Sequence, residues 1–587
     1  MLKKTSMSDN QSIELLQQRI KAARGQIPSD LVLKRGRVVN VFSGEILESD
    51  VAIHQGVIVG VAEGYAGRQE VDVQGRFIAP GLIDGHMHVE STMLLPSNLA
   101  PSLLVHGTTA IVSDPHEIAN VMGLEGIRFM LRESETLPFD IFFMAPSCVP
   151  TTRLETSGAC LDLENLASLR EEPRILGLAE MMNYPAVLSG DAKVIGKISL
   201  FRARVIDGHA PSLSKHDLQA YCSTGIQSDH ETSDLQEAVE KLRAGMMILI
   251  REGTSAKNLE TLLPLVSRKN SRRFCFVTDD LHPEDLMERG HLDHVLRKAV
   301  RLGLDPLTAL QMVTLNPAEF FALHDRGAVA PGYRADLVVM KDLESFSAER
   351  VYKDGRLVVC EGRMVDFPQK KELSLPSWPI RIHSLRPESF RIKKQGAKAR
   401  VIEVISGQIL TRARVEEILS VNGWILSDIQ KDILKLMVVE RHKGTGNIGR
   451  GLVQGFGLKR GALASSVAHD SHNIIAVGVE DLDLFTAVEE IRRMGGGLVA
   501  AEGERILAKV ALEIGGLMTE EPLESLTAQL KTVSRVAKSL GCILPEPFMA
   551  LSFLALPVIP ELKLTDKGLV DVRKFAVVPL FVQEDTR

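Results

Sequence analysis

Strand-like and helix-like segments alternate through the middle of this chain, and this alternation limits the fold more than any other feature. From the segment around Gly81 to Leu323, apolar runs of strand length are separated by amphipathic stretches such as 234–242. The eight apolar runs are FIAPGLIDGHMH, TTAIVSD, DIFFMAP, ILGLAEMM, ARVIDGHA, GIQSDHE, MMILIREG and FCFVTDD. Eight β-then-α units favour a closed parallel (β/α)₈ barrel. An open, doubly wound parallel sheet is the alternative.

Shorter strand-like runs flank this predicted barrel, which we place at residues 81–329. Residues 30–80 alternate strands with turns, and residues 330–370 return to short strands after a single predicted helix at 306–323. The simplest topology lets both flanking segments share a small β-sandwich domain that brackets the barrel. The remaining predicted units are a helical extension at 1–29, a charged, proline-bearing linker at 371–398 and an α+β domain at 399–587.

Composition narrows the classes of ligand. The 587 residues carry a formal net charge of −6, and only 5% of them are aromatic. This balance argues against a general binder of nucleic acid or of membrane surfaces. The N-terminal segment lacks the apolar core of a secretory signal, and no apolar run reaches the roughly 18 residues of a membrane span. The six cysteines form no Cys-X-X-Cys pair, so we expect free thiols in a cytoplasmic protein that acts on a small molecule.

Metal-binding side chains occur at the predicted carboxyl ends of the barrel strands. Active residues of such barrels come from these ends, which meet at one rim. His86 and His88 follow the first apolar run two residues apart, so in a strand both imidazoles face the same side. The other candidates, after the fourth, fifth, sixth and eighth runs, are Glu180, His209, His230 and Asp279. Four histidines and two carboxylates suffice to bind two divalent ions.

The motifs around these residues resemble the amidohydrolase superfamily and, more narrowly, the bacterial adenine deaminases. The matching segments occur in order in both halves of the chain: HMHVES, SDPHEIANVMG, LAEMMNYPAV, DGHAP, SDHE, REGTSAKNL, FVTDDLHPEDL and NIGRGLVQGFGLKRGALASSVAHDSHNIIAVG. The resemblance extends from Asp30 to Val582. It implies a purine-salvage reaction in which a metal-bound hydroxide attacks C6 of free adenine and produces hypoxanthine and ammonia.

The resemblance also implies which residues bind each ion. Glu180 stands where the family bridges its two metals with a carboxylate. Many relatives use a carboxylated lysine there, but Lys193 and Lys197 lie well beyond the fourth strand. The residues that match the first metal's ligands are His86, His88 and Asp279, and those that match the second metal's are His209 and His230.

Asp279 and Glu180 are the predicted catalytic residues. Asp279 would take the proton of the attacking hydroxide and pass it to the departing amino group. We favour Asp279 over Asp280 because it comes first after the apolar strand, and strand alternation would turn Asp280 to the opposite face. The expected ions are Mn²⁺ or Fe²⁺, with Zn²⁺ as the alternative, since sites of this kind accept several metals. We also expect a homodimer.

Five further polar residues are predicted to contact the substrate: Glu90, Ser91, Asp114, His116 and Glu231. Glu90 continues the two-residue spacing of the histidines, and its alternative role, with Ser91, is to support the metal ligands. Asp114 and His116 flank a proline, so a capped turn is the alternative there. Glu231 would hold a ring nitrogen of the base.

Two other polar pairs lie outside the predicted set of metal ligands. Arg251 and Glu252 follow the seventh strand, and we interpret them as an ion pair at the rim. His469 and His472 resemble a metal-ligand pair, but no third ligand with matching spacing lies nearby in the sequence. We therefore predict a folded hydrogen-bonding loop there, with a contribution to the mouth of the active site as the alternative.

Two other functions fit part of this pattern. A hydrolase of cyclic amides could use the same barrel, because a fold does not determine a function. The C-terminal motif and Glu180 favour adenine over that alternative. A metal-free scaffold would have lost ligands, whereas all six are present. Zinc deaminases of nucleic acids are excluded by the missing Cys-X-X-Cys pair.

Overall fold

The computed structural model describes residues 9–254, 256–365 and 378–582. The start of the predicted helical extension, the segment 366–370 of the predicted β domain, the linker segment 371–377 and the last five residues lie outside the described residues. Among the helices described, none combines the length and the apolar character needed to cross a membrane.

The N-terminal segment contains one helix and five strands. They are α1 (Asp9–Ala23), β1 (Ser29–Asn40), β2 (Glu45–His54), β3 (Val57–Val61), β4 (Gly67–Asp72) and β5 (Phe77–Pro80). The long strand β1 pairs with β4 through its first half and with β5 through its second half. A register shift between Leu33 and Gly36 separates the two halves.

Eight strands that pair in parallel follow in the order expected from the apolar runs. They are β6 (Leu82–Met87), β7 (Thr108–Ser113), β8 (Asp140–Ala145), β9 (Ile175–Met181), β10 (Val205–Gly208), β11 (Ser228–Asp229), β12 (Met247–Arg251) and β13 (Phe274–Val277). Five form one parallel sheet in the order β10-β9-β8-β7-β6, and three form another in the order β11-β12-β13. All residues of β6, β7, β10 and β13 are buried, as expected for parallel strands covered on both faces.

Helices connect these strands and cover the sheets. They are α2 (Pro96–Leu104), α3 (His116–Glu133), α4 (Leu163–Arg170), α5 (Tyr184–Leu188), α6 (Ala192–Leu200), α7 (Lys215–Ser223), α8 (Leu235–Arg243), α9 (Leu259–Leu262), α10 (Pro283–Arg289), α11 (Leu292–Arg301), α12 (Pro306–Gln311) and α13 (Leu315–Phe320). The single helix predicted at 306–323 is wrong, because α12 and α13 are separate. Pro317 has no N–H to bond to the Val313 carbonyl, which instead accepts from the Ile83 N–H at 2.7 Å.

The chain then returns to the first sheet through β14 (Leu337–Met340), β15 (Ala348–Lys353), β16 (Arg356–Cys360) and β17 (Arg363–Met364). Strand β14 pairs antiparallel with β5. The described strands of both segments form one connected nine-stranded sheet in the order β17-β16-β15-β14-β5-β1-β2-β3, with β4 paired to β1. Strand β1 pairs with β2, β4 and β5, and β5 pairs with β14, so the two segments share one hydrogen-bonded sheet.

The C-terminal region combines a large sheet with three helices. Its elements are β18 (Lys398–Val404), β19 (Thr411–Glu417), β20 (Ser420–Val421), β21 (Trp424–Ile425), β22 (Ile433–Val439), β23 (Ile448–Gln454), β24 (Ala462–Ser465), β25 (Ile474–Gly478), α14 (Asp481–Met494), β26 (Gly497–Glu502), β27 (Arg505–Ala511), α15 (Leu523–Ser539), α16 (Pro547–Phe553), β28 (Leu562–Thr565), β29 (Gly568–Asp571) and β30 (Ala576–Val577). The eight-stranded sheet has the order β19-β18-β23-β22-β25-β24-β26-β27. Helix α14 packs its apolar side chains on this sheet.

Buried hydrogen bonds attach the C-terminal region to the loop after β8. The Thr151 hydroxyl donates to Asp470 at 2.6 Å, and the Thr156 hydroxyl donates to Asp566 at 2.6 Å. The Asn473 amide donates to the Thr156 carbonyl at 2.8 Å. The bonds of Asp470 and Asn473 fix the segment 466–473, between β24 and β25, against the loop after β8.

Candidate active site

The carboxyl ends of five parallel strands bring the six predicted metal ligands together. His86 and Glu180 are the penultimate residues of β6 and β9, and His209 and His230 directly follow β10 and β11. Five of the six residues are buried, and the His209 side chain is 22% exposed. Because parallel strands end at a common edge, residues that are far apart in sequence meet here.

Three of these residues form a first group. Asp279 Oδ1 lies 3.2 Å from His88 Nε2 and 3.5 Å from His86 Nε2. The three potential ligand atoms lie within 4.8 Å of one another. His86 Nε2 is buried and makes no hydrogen bond within the described residues. A buried ring nitrogen that is directed at a carboxylate oxygen, and has no hydrogen bond in the described residues, is expected of a metal-binding histidine more than of a satisfied core histidine.

Glu180 connects this first group to a second one. Its Oε2 lies 2.7 Å from His209 Nδ1 and 3.0 Å from His230 Nε2, whereas its Oε1 lies 3.6 Å from His88 Nε2. The two oxygens of one carboxylate therefore face two different sets of histidines. This geometry suits a carboxylate shared by two ions.

Both central carboxylates are ionised in these surroundings. Burial opposes ionisation of Glu180, but the charges and hydrogen bonds of His230 and His209 hold its pKa well below the ordinary value. Burial likewise opposes ionisation of Asp279, and Arg251, followed by His86 and His88, holds its pKa well below the ordinary value. The rim thus offers negative oxygen ligands next to imidazole nitrogens, a donor set that binds divalent cations.

The strand alternation that was expected to turn Asp280 to the face opposite Asp279 is absent. Strand β13 ends at Val277, and Asp279 has a φ of 60°, so the alternation of a regular strand does not apply. The Ser91 hydroxyl donates to Asp280 Oδ1 at 2.5 Å. Asp280 therefore lies beside the site, in contact with a predicted substrate-binding residue.

Glu90 faces the site, although not through continued strand geometry. Strand β6 ends at Met87, and residues Val89–Thr92 form a 3₁₀ turn. Glu90 Oε1 accepts from the Ile118 N–H at 3.0 Å, while Oε2 is buried without a hydrogen bond in the described residues. Burial raises the pKa of Glu90 to about 7.

Asp114 and His116 pack against the predicted ligands. The Asp114 carbonyl lies 3.0 Å from His88 Nδ1, and its carboxylate lies 3.0 Å from His116 Nδ1. His116 Nδ1 is also 3.5 Å from Glu180 Oε1. The structure therefore places both residues next to the metal-ligand candidates, and the simple capped turn does not describe them.

The predicted ion pair between Arg251 and Glu252 is wrong. Arg251 instead donates to Glu231 at 2.5 Å and to Asp279 at 2.8 Å. Lys298 donates to Glu252 at 2.9 Å. The two residues therefore have different partners, and of the two it is Arg251 that contacts a predicted metal ligand. Glu231 also lies 3.6 Å from His230 Nε2, which places it at the second group.

Sequence reasoning missed Asp207 as a functional residue. Its Oδ2 accepts from His86 Nδ1 at 2.9 Å and leaves Nε2 facing Asp279. A carboxylate that holds the far ring nitrogen of a ligand fixes its tautomer and orientation. The available signal was the two-residue spacing of Asp207 and His209, which places both on one face of a strand.

Residues that flank the predicted ligands line a cleft whose empty space, open solvent included, is about 350 Å³. Barrel residues line one side, including Glu90, Ser91 and Asp280, and C-terminal residues line the other, including His469 and Met549. Asp280 directly follows Asp279, and Glu90 lies two residues after His88, so residues next to the first ligand group line the cleft. The C-terminal region thus forms part of the wall of the pocket, which the sequence offered only as an alternative for the His469 segment.

Comparisons with known proteins identify both halves of the chain. Residues 77–358 match the amidohydrolase family, and residues 408–576 match the adenine deaminase C-terminal domain. A solved structure described as an adenine deaminase aligns at 18% identity with a TM-score of 0.43 and covers 56% of this chain and 99% of that chain. A likeness of that size adds nothing to the family assignment.

Curated relatives match almost the whole length. The adenine deaminase of Desulfatibacillum aliphaticivorans is 51% identical over 568 residues, which cover 96% of this chain and 99% of the relative. The adenine deaminase of Dehalococcoides mccartyi strain 195 is 48% identical, with coverage of 96% and 99%. That of Geobacillus kaustophilus is 46% identical, with the same coverages. The resemblance read from the motifs is confirmed, and the chain belongs to the adenine deaminase family of the amidohydrolases.

Proposed function

We propose that this protein hydrolyses adenine to hypoxanthine and ammonia at a centre of two divalent ions. The observation that carries the proposal is that the two carboxylate oxygens of Glu180 face different histidines. One oxygen lies 2.7 Å from His209 Nδ1 and 3.0 Å from His230 Nε2, and the other lies 3.6 Å from His88 Nε2. Family membership directs this centre to adenine, because the relatives that match nearly the whole chain are adenine deaminases.

The residues present fit two ions. His86, His88 and Asp279 would hold the first ion, His209 and His230 the second, and Glu180 would bridge them. The support is the buried, unbonded His86 Nε2 and the mutual approach of imidazole and carboxylate atoms within 4.8 Å. We propose Mn²⁺ or Fe²⁺, since nitrogen and oxygen ligands of this kind accept both. When bound, the ions would lower the pKa of a water molecule, so that a nucleophile is available near neutral pH.

Asp279 is the proposed proton carrier. It lies between the histidines of the first group and Arg251, which donates to its other oxygen at 2.8 Å. Asp279 is ionised in these surroundings, and its carboxylate is the proposed acceptor for the proton of the attacking water. Passing that proton to the amino nitrogen lets ammonia leave instead of an unstable amide ion.

Glu90, Ser91 and Glu231 are proposed to hold the base. Glu90 and Ser91 line the cleft, and Glu90 has a buried oxygen free for a donor on the purine. Glu231 reaches the second ligand group from the opposite side. Asp114 and His116 touch the ligands themselves, so we propose that they support the rim and its reacting water.

The architecture proposed for this site is a closed barrel of eight strands. Its support is a hydrogen bond at each gap between the two parallel sheets. The Gln227 N–H donates to the Ile206 carbonyl at 3.0 Å, and the Asp279 N–H donates to the His86 carbonyl at 3.0 Å. The second bond also positions the proposed proton carrier beside the first histidine.

The experiment that tests this function measures metal content and ammonia release together. Purified protein is loaded separately with Mn²⁺, Fe²⁺ and Zn²⁺ and assayed with adenine, adenosine, dihydroorotate and a hydantoin. We expect up to two ions per chain and ammonia from adenine. Turnover of a cyclic amide without turnover of adenine would move the protein to the alternative function.

His209→Ala tests the arrangement of the centre. This variant should lose one ion and most of its activity, because His209 is proposed to bind only the second metal. His324→Ala is the matched control, since His324 is an exposed histidine that is not among the rim residues. Retention of both ions by His209→Ala would contradict the assignment.

A further inference from the structure

Glu117 lies between two histidines of the C-terminal region and belongs to a buried cluster that the mechanism above does not use. Its Oε1 lies 2.5 Å from His469 Nδ1, and its Oε2 contacts His472 Nε2. The three side chains come from helix α3 and from the segment 466–473. Their ligand atoms lie within 4.8 Å of one another, so a third metal site is one candidate interpretation.

The hydrogen bonds of His472 argue against a metal at this position. The Ala468 N–H donates to His472 Nδ1 at 3.1 Å, so this ring nitrogen acts as an acceptor. Its single proton is then on Nε2, which donates to Glu117. A nitrogen that carries this proton has no lone pair for a metal. The cluster is a hydrogen-bonded chain in which Glu117 holds His469, as the loop prediction anticipated.

His469 is fixed on two sides. Its Nδ1 is bonded to Glu117, and its ring stacks on Phe553 of α16 with ring centroids 4.8 Å apart and planes inclined by 22°. Its other nitrogen, Nε2, has no hydrogen-bond partner within the described parts of the chain. The side chain is 12% exposed and lines the cleft, together with Glu90, Ser91 and Asp280.

The charge of His469 is set by the same neighbours. Burial lowers the pKa of His469, but Glu117, Asp280 and Asp470 outweigh burial and raise it to about 9. At neutral pH both ring nitrogens therefore carry protons. One proton is used by Glu117, which leaves a charged N–H donor at the wall of the cleft.

We propose that His469 is a substrate-binding residue, supplied by the C-terminal region, whose Nε2–H donates to a ring nitrogen of the aminopurine while Glu117 holds its Nδ1–H. This inference rests on the proposed function, because it takes the cleft as the purine pocket. A purine base offers acceptor nitrogens at its edges and few other polar groups. A fixed cationic donor binds such an acceptor more tightly after water adds to C6, since electron density moves onto the ring nitrogens.

The same arrangement gives the C-terminal region a chemical role. The barrel rim supplies ligands and a proton carrier, but the donor opposite Glu90 comes from residue 469. The base is then held between a barrel face and a C-terminal face. An amidohydrolase barrel without this region would lack the donor, even with all of its metal ligands.

The test combines variants of His469 with purine analogues that each lack one acceptor. Metal-loaded wild type and His469→Leu are compared for kcat/KM with adenine and for inhibition constants of 1-deaza-, 3-deaza- and 7-deazaadenine. His324→Leu is the control, because it removes an exposed histidine. A charged hydrogen bond contributes about 10- to 150-fold in affinity. We expect the kcat/KM of His469→Leu for adenine to fall by that factor. The deaza analogue that lacks the acceptor for His469 should inhibit wild type and His469→Leu equally.

The outcomes separate this inference from the proposed function. A wild type that releases no ammonia from adenine overturns the function, whereas unchanged kcat/KM and unchanged inhibition constants in His469→Leu overturn the role of His469. Equal losses for adenine and for all three analogues also overturn it, because they would show a structural effect alone. Metal content and thermal unfolding are measured for every variant. If His469→Leu does not fold, His469→Gln, which retains a neutral donor near the Nε2 position, takes its place in the same comparison.

Discussion

The barrel rim and the segment 466–473 both face the cleft, but the chain builds them in different ways. The rim residues occupy the ends of short buried strands, and each reaches the site because its strand ends there. The C-terminal segment has no regular secondary structure, and single hydrogen bonds connect it to Thr151, Thr156 and Glu117.

The two regions therefore differ in their proposed roles, which are catalysis for the rim and substrate binding for the C-terminal segment. The rim contains every residue proposed to bind metal or carry a proton, and its geometry follows from the parallel strands. The C-terminal segment contributes a donor and a wall. We therefore expect rim substitutions to affect turnover or metal content first, and substitutions at the cleft to affect substrate binding first.

Asp279→Asn should have the largest effect. The amide can still offer an oxygen to a metal, but it cannot accept the proton of the attacking water. General acid–base catalysis contributes about 10²–10⁴-fold, so kcat should fall by that order while metal content changes less. Asp280→Asn is the control, and because Asp280 bonds Ser91 at the cleft it should raise KM more than it lowers kcat. A fully active Asp279→Asn would show that the proton carrier is another residue.

Asp207→Asn should produce the next largest effect. Asp207 holds His86 Nδ1 at 2.9 Å, and loss of such a supporting carboxylate typically costs about 10- to 100-fold in metal affinity or activity. Metal titration of the apoprotein measures the effect directly. Asp293→Asn serves as the control, because this buried carboxylate contacts His106 and Arg297 instead of a rim histidine. Wild-type metal affinity in Asp207→Asn would contradict the orienting role.

The contribution of His469 to kcat/KM for adenine should depend on pH. Its pKa is raised to about 9, so the charged donor is present below that pH and is lost as pH rises through it. The groups that set this value are Glu117, Asp280 and Asp470, with His472 on the far side of Glu117. The ratio of kcat/KM between wild type and His469→Gln should therefore decrease as pH passes about 9. A ratio that stays constant well above that pH would show that the charge of His469 does not matter.

Ser91→Ala should have the smallest effect. The Ser91 hydroxyl donates to Asp280 at 2.5 Å on the cleft side of the rim. A single hydrogen bond contributes about 0.5–1.5 kcal/mol, which corresponds to roughly 2- to 10-fold. We expect this change in KM with an unchanged kcat, measured by steady-state kinetics. A loss of kcat comparable to that of Asp279→Asn would place Ser91 in the chemical step instead.

Local sequence periodicity was sufficient to predict the rim. His86 and His88 follow an apolar run with the spacing of one strand face, and the later ligands follow similar runs. Each of these positions depends on a strand of a few residues, so short-range pattern predicts it. The same reasoning does not apply to Asp280 and Glu90, because the backbone leaves strand geometry after Val277 and Met87, although Glu90 still lines the cleft. Where the strand ends, alternation no longer indicates direction.

The contacts around Glu117 and His469 were decided only by the tertiary structure. The two residues are 352 positions apart, and the sequence around each suggests only a turn or a loop. Their contact depends on how the C-terminal sheet packs against the barrel, through hydrogen bonds such as Thr151 to Asp470 and Thr156 to Asp566. By itself the sequence determined which side chains the strand ends carry. Which distant side chains complete the pocket was set by long-range packing, since no local periodicity encodes that approach.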